Sequence, residues 1–205
     1  MALATYTDLL ASVAGWINRT DLTAIIPDFV VLAEARIARD MRLRRQVTNA
    51  AISTVANTQT ISLPTGFLEI ENIGLSSVSP QTTLSVVTPE ILDKSYPNHY
   101  SPGQPVIYCI LGDTLVLGPT PDAVYTVSVD YYKRWDALTV TATNWLLTNF
   151  PMVYLSGCMV EAAMYLQDTD KVALWDSRYR AEVLQLQQMD DAALRSGSVM
   201  RVRAM

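Results

Sequence analysis

The chain opens with two stretches whose apolar residues recur at helical spacing. Thr5 and Thr7 are both suitable caps for the first helix. Its apolar positions are Leu9, Leu10, Val13, Trp16 and Ile17. The second helix is predicted to follow Pro27 and to run from about Asp28 to Leu43, because proline favours the first turn of a helix. Its apolar positions are Val30, Ala33, Ile37 and Met41.

The pattern changes after Arg45, where Thr, Ser, Val, Ile and Tyr become frequent and turn residues recur. Residues from Tyr125 onward alternate between apolar and polar, which indicates a strand with one buried face. Strands are predicted at Val47–Val55, Gln59–Leu63, Phe67–Ser76, Val106–Leu111, Thr114–Leu117 and Tyr125–Lys133. Gly112-Asp113 predicts a tight hairpin, Thr88-Pro89 predicts a helical turn, and Lys94–Pro105 reads as a long exposed loop.

Helical spacing returns near Asn144 and continues almost to the last residue. We expect one helix from about Phe150 to Leu166, in which Gly157 indicates close packing against a neighbour. A longer helix is expected from about Lys171 to Leu194. Its heptad-like stripe consists of Val172, Trp175, Tyr179, Val183 and Leu186. The segment Val199–Met205 is predicted to be a short, basic and flexible tail.

These elements predict an α+β fold with helical ends around a β-rich middle. Each amphipathic helix needs a partner for its apolar stripe, so we expect the N- and C-terminal segments to form a four-helix core. The predicted domains are residues 1–45 together with 136–205, and an inserted antiparallel β domain at residues 46–135.

Composition supports a globular protein, since half of the 205 residues are hydrophobic and 17% are charged. No apolar run reaches the roughly 20 residues that a membrane span needs, and the N-terminus does not resemble a signal peptide. We therefore expect no membrane partner and no secretion. Cys109 and Cys158 lie in apolar segments, which favours two buried thiols over a disulfide.

The sequence contains no recognisable set of catalytic residues. Its one histidine, His99, has no orienting partner or nucleophile motif around it. Glu69 and Glu71 are read as two like charges on an exposed strand face. No phosphate-binding glycine motif and no metal-ligand spacing is present. We predict a non-enzyme with no catalytic residue, no metal site and no cofactor.

The most pointed local feature is a cluster of arginines. The chain has twelve arginines against three lysines and a net charge of −5. Five of the arginines fall within ten residues, at Arg36, Arg39, Arg42, Arg44 and Arg45. They predict either a solvated helix face or a docking surface for an acidic protein or DNA. Further candidate contacts are Arg201 and Arg203 in the tail and Tyr96, His99 and Tyr100 in the loop.

The order of several short motifs resembles the head-to-tail adaptor, or connector, proteins of tailed bacteriophages, in particular the group that is like tail tubular protein A. The N-terminal motifs are Tyr6-Thr7-Asp8-Leu9-Leu10 and Ile26-Pro27-Asp28-Phe29. The central ones are Leu63-Pro64-Thr65-Gly66-Phe67 and Tyr131-Tyr132. The C-terminal ones are Asn144-Trp145-Leu146-Leu147, Glu161-Ala162-Ala163 and Trp175 with Arg178-Tyr179.

The resemblance implies a ring of identical copies, typically dodecameric, at the neck of the virion after synthesis in the host cytoplasm. Its expected partners are the portal protein, a downstream tail or nozzle protein, further copies of itself, and genomic DNA passing through the lumen without sequence-specific binding. The resemblance identifies no single contact residue. The arginines named above are candidate portal or subunit contacts because of their charge, and the candidate tail-facing loop holds Tyr96, His99 and Tyr100. Two alternatives remain open. One is a tail-completion or stopper protein of the neck, and the other is a nucleic-acid-binding module that uses Arg36–Arg45.

Overall fold

The computed structural model describes residues 3–97 and 102–195. Its helices are α1 (Tyr6–Ile17), α2 (Ile26–Asp40), α3 (Pro89–Ser95), α4 (Leu138–Thr141), α5 (Trp145–Asn149), α6 (Pro151–Tyr165) and α7 (Thr169–Arg195). Its strands are β1 (Val47–Ser53), β2 (Thr60–Ser62), β3 (Phe67–Leu75), β4 (Thr82–Thr83), β5 (Ser85–Val86), β6 (Ile107–Leu111), β7 (Thr114–Gly118) and β8 (Thr126–Lys133). The predicted α+β class is confirmed. The predicted tail at Val199–Met205 lies outside the described residues.

The described chain divides into two compact units. A helical unit contains the residues up to Leu43 and from Trp135 onward, and a β unit contains Arg44–Arg134. These limits lie within two residues of the predicted boundaries, and the division into two domains stays a prediction.

The helical unit is built around α6, which packs against α1, α2, α5 and α7. All residues from Val153 to Val160 are buried, as expected of a helix that is surrounded by others. Gly157 permits a close approach, because a Cβ at that position would lie 3.3 Å from the Cβ of Ala33 on α2. The close packing predicted for Gly157 is therefore confirmed, whereas the four-helix arrangement of the core stays a prediction.

The ends of α1 and α2 follow local chemistry. Thr5 caps α1, since its hydroxyl accepts the backbone N–H of Asp8 while the carboxylate of Asp8 accepts the N–H of Thr5. Pro27 lies in the first turn of α2, as predicted. The predicted end of α2 at Leu43 is wrong, because Met41 turns to extended backbone and the helix ends at Asp40.

The β unit consists of two four-stranded sheets in the orders β1-β8-β3-β4 and β2-β7-β6-β5. Inward-facing residues of both sheets share one hydrophobic core. Its buried members are Ile61, Ile73, Leu75, Leu84, Tyr108, Leu115, Leu117, Val127, Val129 and Tyr131. Strands β6 and β7 form the predicted hairpin, in which Gly112 adopts a positive φ of 58°.

Two features of the β unit differ from the prediction. The pair β5 and β6 is parallel, so the insert is not purely antiparallel, and the two-residue strands β4 and β5 carried too little periodicity to be found. The segment Lys94–Pro105 is not an exposed loop throughout. Its first residues belong to α3, which Thr88 caps as expected, and Pro105 is buried.

Candidate assembly surfaces

The predicted arginine cluster is divided between the two units. Arg36, Arg39 and Arg42 belong to the helical unit, whereas Arg44 and Arg45 form a short 3-10 turn at the start of the β unit. The division follows from the end of α2 at Asp40, after which the chain is extended. The five arginines therefore do not continue along one helix face.

Arg36 joins three helices of the helical unit. Its Nε and Nη2 donate to Oε1 of Glu161 on α6 at 3.0 and 2.6 Å, and its Nη1 lies 3.4 Å from Oδ1 of Asp176 on α7. The guanidinium carbon also lies 5.8 Å from the centre of the Tyr179 ring. The side chain is only 18% exposed, so its charge is balanced mainly by these carboxylates inside the unit.

An open groove of about 360 Å³ lies beside Arg36. It is lined by Arg36, Arg39, Asp40, Asp176, Tyr179, Arg180, Val183, Leu184 and Gln187. The heads of Arg39 and Arg180 are 70% and 77% exposed, although each is paired with an aspartate of its own helix. The groove thus offers donors and acceptors of both signs, which suits a protein partner better than a polyanion.

Tyr179 lies at the floor of this groove. Its hydroxyl donates to Oδ2 of Asp40 at 3.2 Å. Burial, followed by the nearby charge of Asp40, raises the pKa of the Tyr179 phenol well above its ordinary value of 10. The phenol is therefore a neutral hydrogen-bond donor that ties α7 to the end of α2.

Arg42 has a local role at the end of α2. Its Nη1 donates to the backbone oxygens of Ala38 at 2.6 Å and Met41 at 2.8 Å. A cation at this position also suits the negative end of the helix dipole. Arg44 and Arg45 are exposed in the β unit. As assembly contacts, all five arginines remain predictions.

The predicted loop site is only partly described. Tyr96 is half-buried and approaches β7, since a Cβ on Gly118 would lie 3.1 Å from Cδ2 of the tyrosine. His99, Tyr100, Arg201 and Arg203 lie outside the described residues. The contact between Tyr96 and Gly118 is therefore part of the packing within the β unit.

The described residues offer little reactive chemistry. Among residues 3–97 and 102–195, no group of three or more His, Cys, Asp or Glu side chains could hold a metal ion. Cys109 and Cys158 are buried free thiols, in agreement with the prediction, and burial raises the pKa of both. Within the same residues, no helix is long and apolar enough to cross a membrane.

Sequence reasoning missed one apolar surface of the helical unit. Trp16 was expected in the core stripe of α1 but is 54% exposed, and its ring meets that of Trp175 edge-on at 5.4 Å. The two rings border a groove of about 240 Å³. It is lined by Trp16, Ile17, Met159, Ala162, Ala163, Leu166, Lys171, Leu174 and Trp175. Helical spacing could not reveal this surface, because it places Trp16 near the core face of α1 but does not show which distant side chains cover the ring.

Comparison with protein-family models shows the family to which the chain belongs. The family model described as SU10 adaptor protein matches residues 4–203, which is nearly the whole chain. The chain belongs to the SU10 adaptor protein family. The predicted resemblance to phage head-to-tail adaptors is thereby confirmed, and the SU10 adaptor family is a family of structural proteins. No curated protein matches the chain.

As an SU10 adaptor protein, the chain is a phage structural protein, and the use of its exposed surfaces in assembly stays a prediction. The grooves beside Arg36 and Trp16 are the two surfaces described above whose role in assembly remains to be tested.

Proposed function

We propose that this adaptor forms a homo-oligomeric ring, of twelve copies, between the portal and the tail of a phage virion, and that genomic DNA passes through its lumen. The observation that carries the proposal is the family match over residues 4–203. A structural role also agrees with the absence of a recognisable catalytic motif in the sequence.

In this proposal the two units meet different partners. The helical unit contacts the portal through the exposed heads of Arg39 and Arg180 and through the surface beside Trp16. Arginine and tryptophan are favoured anchors of protein interfaces because they combine large contact areas with directed polar groups. The β unit, with the loop that follows α3, contacts the downstream tail or nozzle protein.

The electrostatic character of the chain supports a DNA channel without tight binding. The formal net charge is −5, and a lining with excess positive charge would hold the genome by releasing its counterions. Arg36 is occupied by Glu161 and Asp176. The alternative of a nucleic-acid-binding module is therefore disfavoured. It predicts a steep loss of DNA affinity with rising salt that Arg39→Ala and Arg45→Ala would abolish.

The proposal is tested by assembling the full chain with its portal protein. Mass photometry of the chain alone should give monomers, and the mixture should give a portal complex with twelve added copies. A stable ring without the portal would contradict templated assembly. The lack of any complex with the portal, together with binding to a purified adaptor ring of the same phage, would instead support the stopper alternative.

A further inference from the structure

Among the described strands, β1 forms a long edge of the β unit with no second neighbour. Its seven residues pair with β8 in unbroken antiparallel register, and it is the end strand of its sheet. The backbone N–H of Thr54 donates to the oxygen of Tyr125 at 2.8 Å. This bond shows which alternate residues of β1 direct their backbone groups towards β8. By alternation, the backbone groups of Val47, Asn49, Ala51 and Ser53 point away from β8.

This edge lacks the usual protection against further pairing. Natural edge strands carry charges, proline or bulges, or are very short. The sequence of β1 is Val-Thr-Asn-Ala-Ala-Ile-Ser, which has no charge and no proline, and its register shows no bulge. Among the described strands, the other three sheet ends are β2, β4 and β5, with only three, two and two residues.

The two faces beside this edge differ in chemistry. On the inner face, Ala50 and Ile52 are only partly buried where they pack against the core. On the outer face, the carboxylate of Asp130 on β8 accepts from Asn49 at 2.6 Å and from Asn72 at 3.3 Å. A strand added at the edge would therefore meet apolar side chains on one side, and on the other the amide of Asn49 with the carboxylate of Asp130 behind it.

A segment with matching alternation follows α7. Residues 196–205 come after the last helical residue, Arg195, and ten residues reach about 33 Å when extended. The edge of β1 is about 23 Å long at 3.3 Å per residue. In the segment, Met200, Val202 and Ala204 alternate with Arg201 and Arg203. One face would thus be apolar and the other basic.

We propose that residues 199–204 of a second copy add to β1 as a fifth strand of its sheet. The proposal rests on the proposed function, because a tail of one copy on the edge of the next is a head-to-tail contact of the kind that closes rings. Met200 and Val202 would cover Ile52 and Ala50. Arg201 and Arg203 would extend over Asn49 towards Asp130.

The first test replaces one residue of the edge. Ala51→Pro removes an outward N–H and places a ring on the edge, while the bonds from β1 to β8 remain, since those belong to residues 48, 50 and 52. Ala51→Val is the matched control, because it keeps the N–H. We expect Ala51→Pro to reduce assembly on the portal at least about tenfold and Ala51→Val to change it less than about twofold. Equal assembly of the two variants would overturn the proposal.

The second test is independent of how well the proline variant folds. One tagged full chain carries Ala51→Cys and a second carries Arg201→Cys or Arg203→Cys, and both are assembled together on the portal under oxidation. Residues on the same face of paired strands are close enough for a disulfide. We expect a covalent dimer of the two tags with at least one of the arginine positions, and much less with Val202→Cys, which faces the other side. The native thiols are buried.

The outcomes separate this proposal from the proposed function. If rings form on the portal but no dimer appears, or if Val202→Cys reacts equally, the tail does not lie on β1 of a second copy, although the adaptor role holds. A bond found only within a single chain that carries both cysteines would also overturn the proposal, because the tail would then lie on its own edge. If no ring forms with wild-type chains, it is the proposed function that fails.

Discussion

The helical unit and the β unit hold themselves together in different ways. The helical unit joins two distant stretches of sequence, and Arg36 reaches partners that lie 125 and 140 residues further along the chain. The β unit is one continuous stretch, and its described polar side-chain contacts, such as the row around Asp130, lie mainly at its surface. Partly buried ion pairs therefore join the helices of the helical unit, whereas the described polar contacts of the β unit lie mainly at its surface.

This difference indicates how each unit can take part in assembly. In the helical unit, Arg36 is paired with Glu161 and Asp176. We therefore expect its contacts with partners to come from exposed side chains such as Arg39 and Trp16. In the β unit, β1 has no second neighbouring strand among the described residues, so its outward backbone groups offer main-chain hydrogen bonds to a partner. All four tryptophans belong to the helical unit, which lets fluorescence report on that unit alone.

The largest effect is expected for Arg36→Ala. The substitution leaves the partly buried carboxylate of Glu161 without its cation and Asp176 with Arg180 alone, and should lower the free energy of unfolding of the helical unit by about 2–4 kcal/mol. Urea denaturation followed by tryptophan fluorescence measures it. Arg39→Ala is the control, since its 70% exposed side chain should contribute less than about 0.5 kcal/mol. Equal losses would contradict a charged interior.

The next effect is expected for Tyr179→Phe. Losing the hydrogen bond to Asp40 should cost about 1–2 kcal/mol at pH 7. Because the pKa of Tyr179 is raised on folding, the phenol loses its proton at a lower pH in the unfolded state than in the folded state. Its contribution to the free energy of unfolding is therefore complete below pH 10 and falls as the pH rises above this value. The variant should show a smaller alkaline loss between pH 9 and 11 in the same fluorescence experiment. An unchanged pH profile would show that the phenol does not titrate differently on folding.

A pair of glycines separates packing from helix propensity. Gly15 on α1 has open space around it, so Gly15→Ala should stabilise the helical unit by about 0.5–1 kcal/mol. Gly157→Ala gains the same helix propensity, but its new Cβ lies 3.3 Å from the Cβ of Ala33. The free energy of unfolding of Gly157→Ala should therefore be about 1 kcal/mol lower than that of Gly15→Ala. Thermal unfolding of both variants gives the difference. If both stabilise equally, α6 and α2 are not in tight contact.

The smallest effect is expected in the β unit for Asp130→Ala. Its bonds to Asn49 and Asn72 are exposed to water, so their loss should cost less than about 1 kcal/mol. Hydrogen exchange of the amides of β8 measures this change, and tryptophan fluorescence of the helical unit should stay unaltered. A loss as large as that of Arg36→Ala would remove the contrast between the units.

Local sequence patterns predicted much of the secondary structure. The stripe from Trp175 to Leu186 is on the buried face of α7, and alternation located β8 because every second residue faces the shared core. Thr5, Pro27 and Gly112 were found because caps, helix starts and tight turns depend on neighbouring residues. Such features need no knowledge of distant parts of the chain.

Features that depend on distant partners could not be read from the sequence. The parallel pairing of β5 with β6 joins residues about twenty positions apart through short strands without a periodic signal. The role of Arg36 depends on two carboxylates from other helices, and a run of arginines looks the same whether its charges are paired or free. The position of Trp16 depends on its contact with Trp175, which lies far away in the sequence.

The central claim, a ring of this adaptor against the portal, is tested most directly by cryo-electron microscopy of the virion neck. The account predicts a closed ring of twelve copies in the layer that touches the portal, with DNA or an open lumen at its centre. Density for this chain in another layer, or a six-fold ring without portal contact, would contradict it.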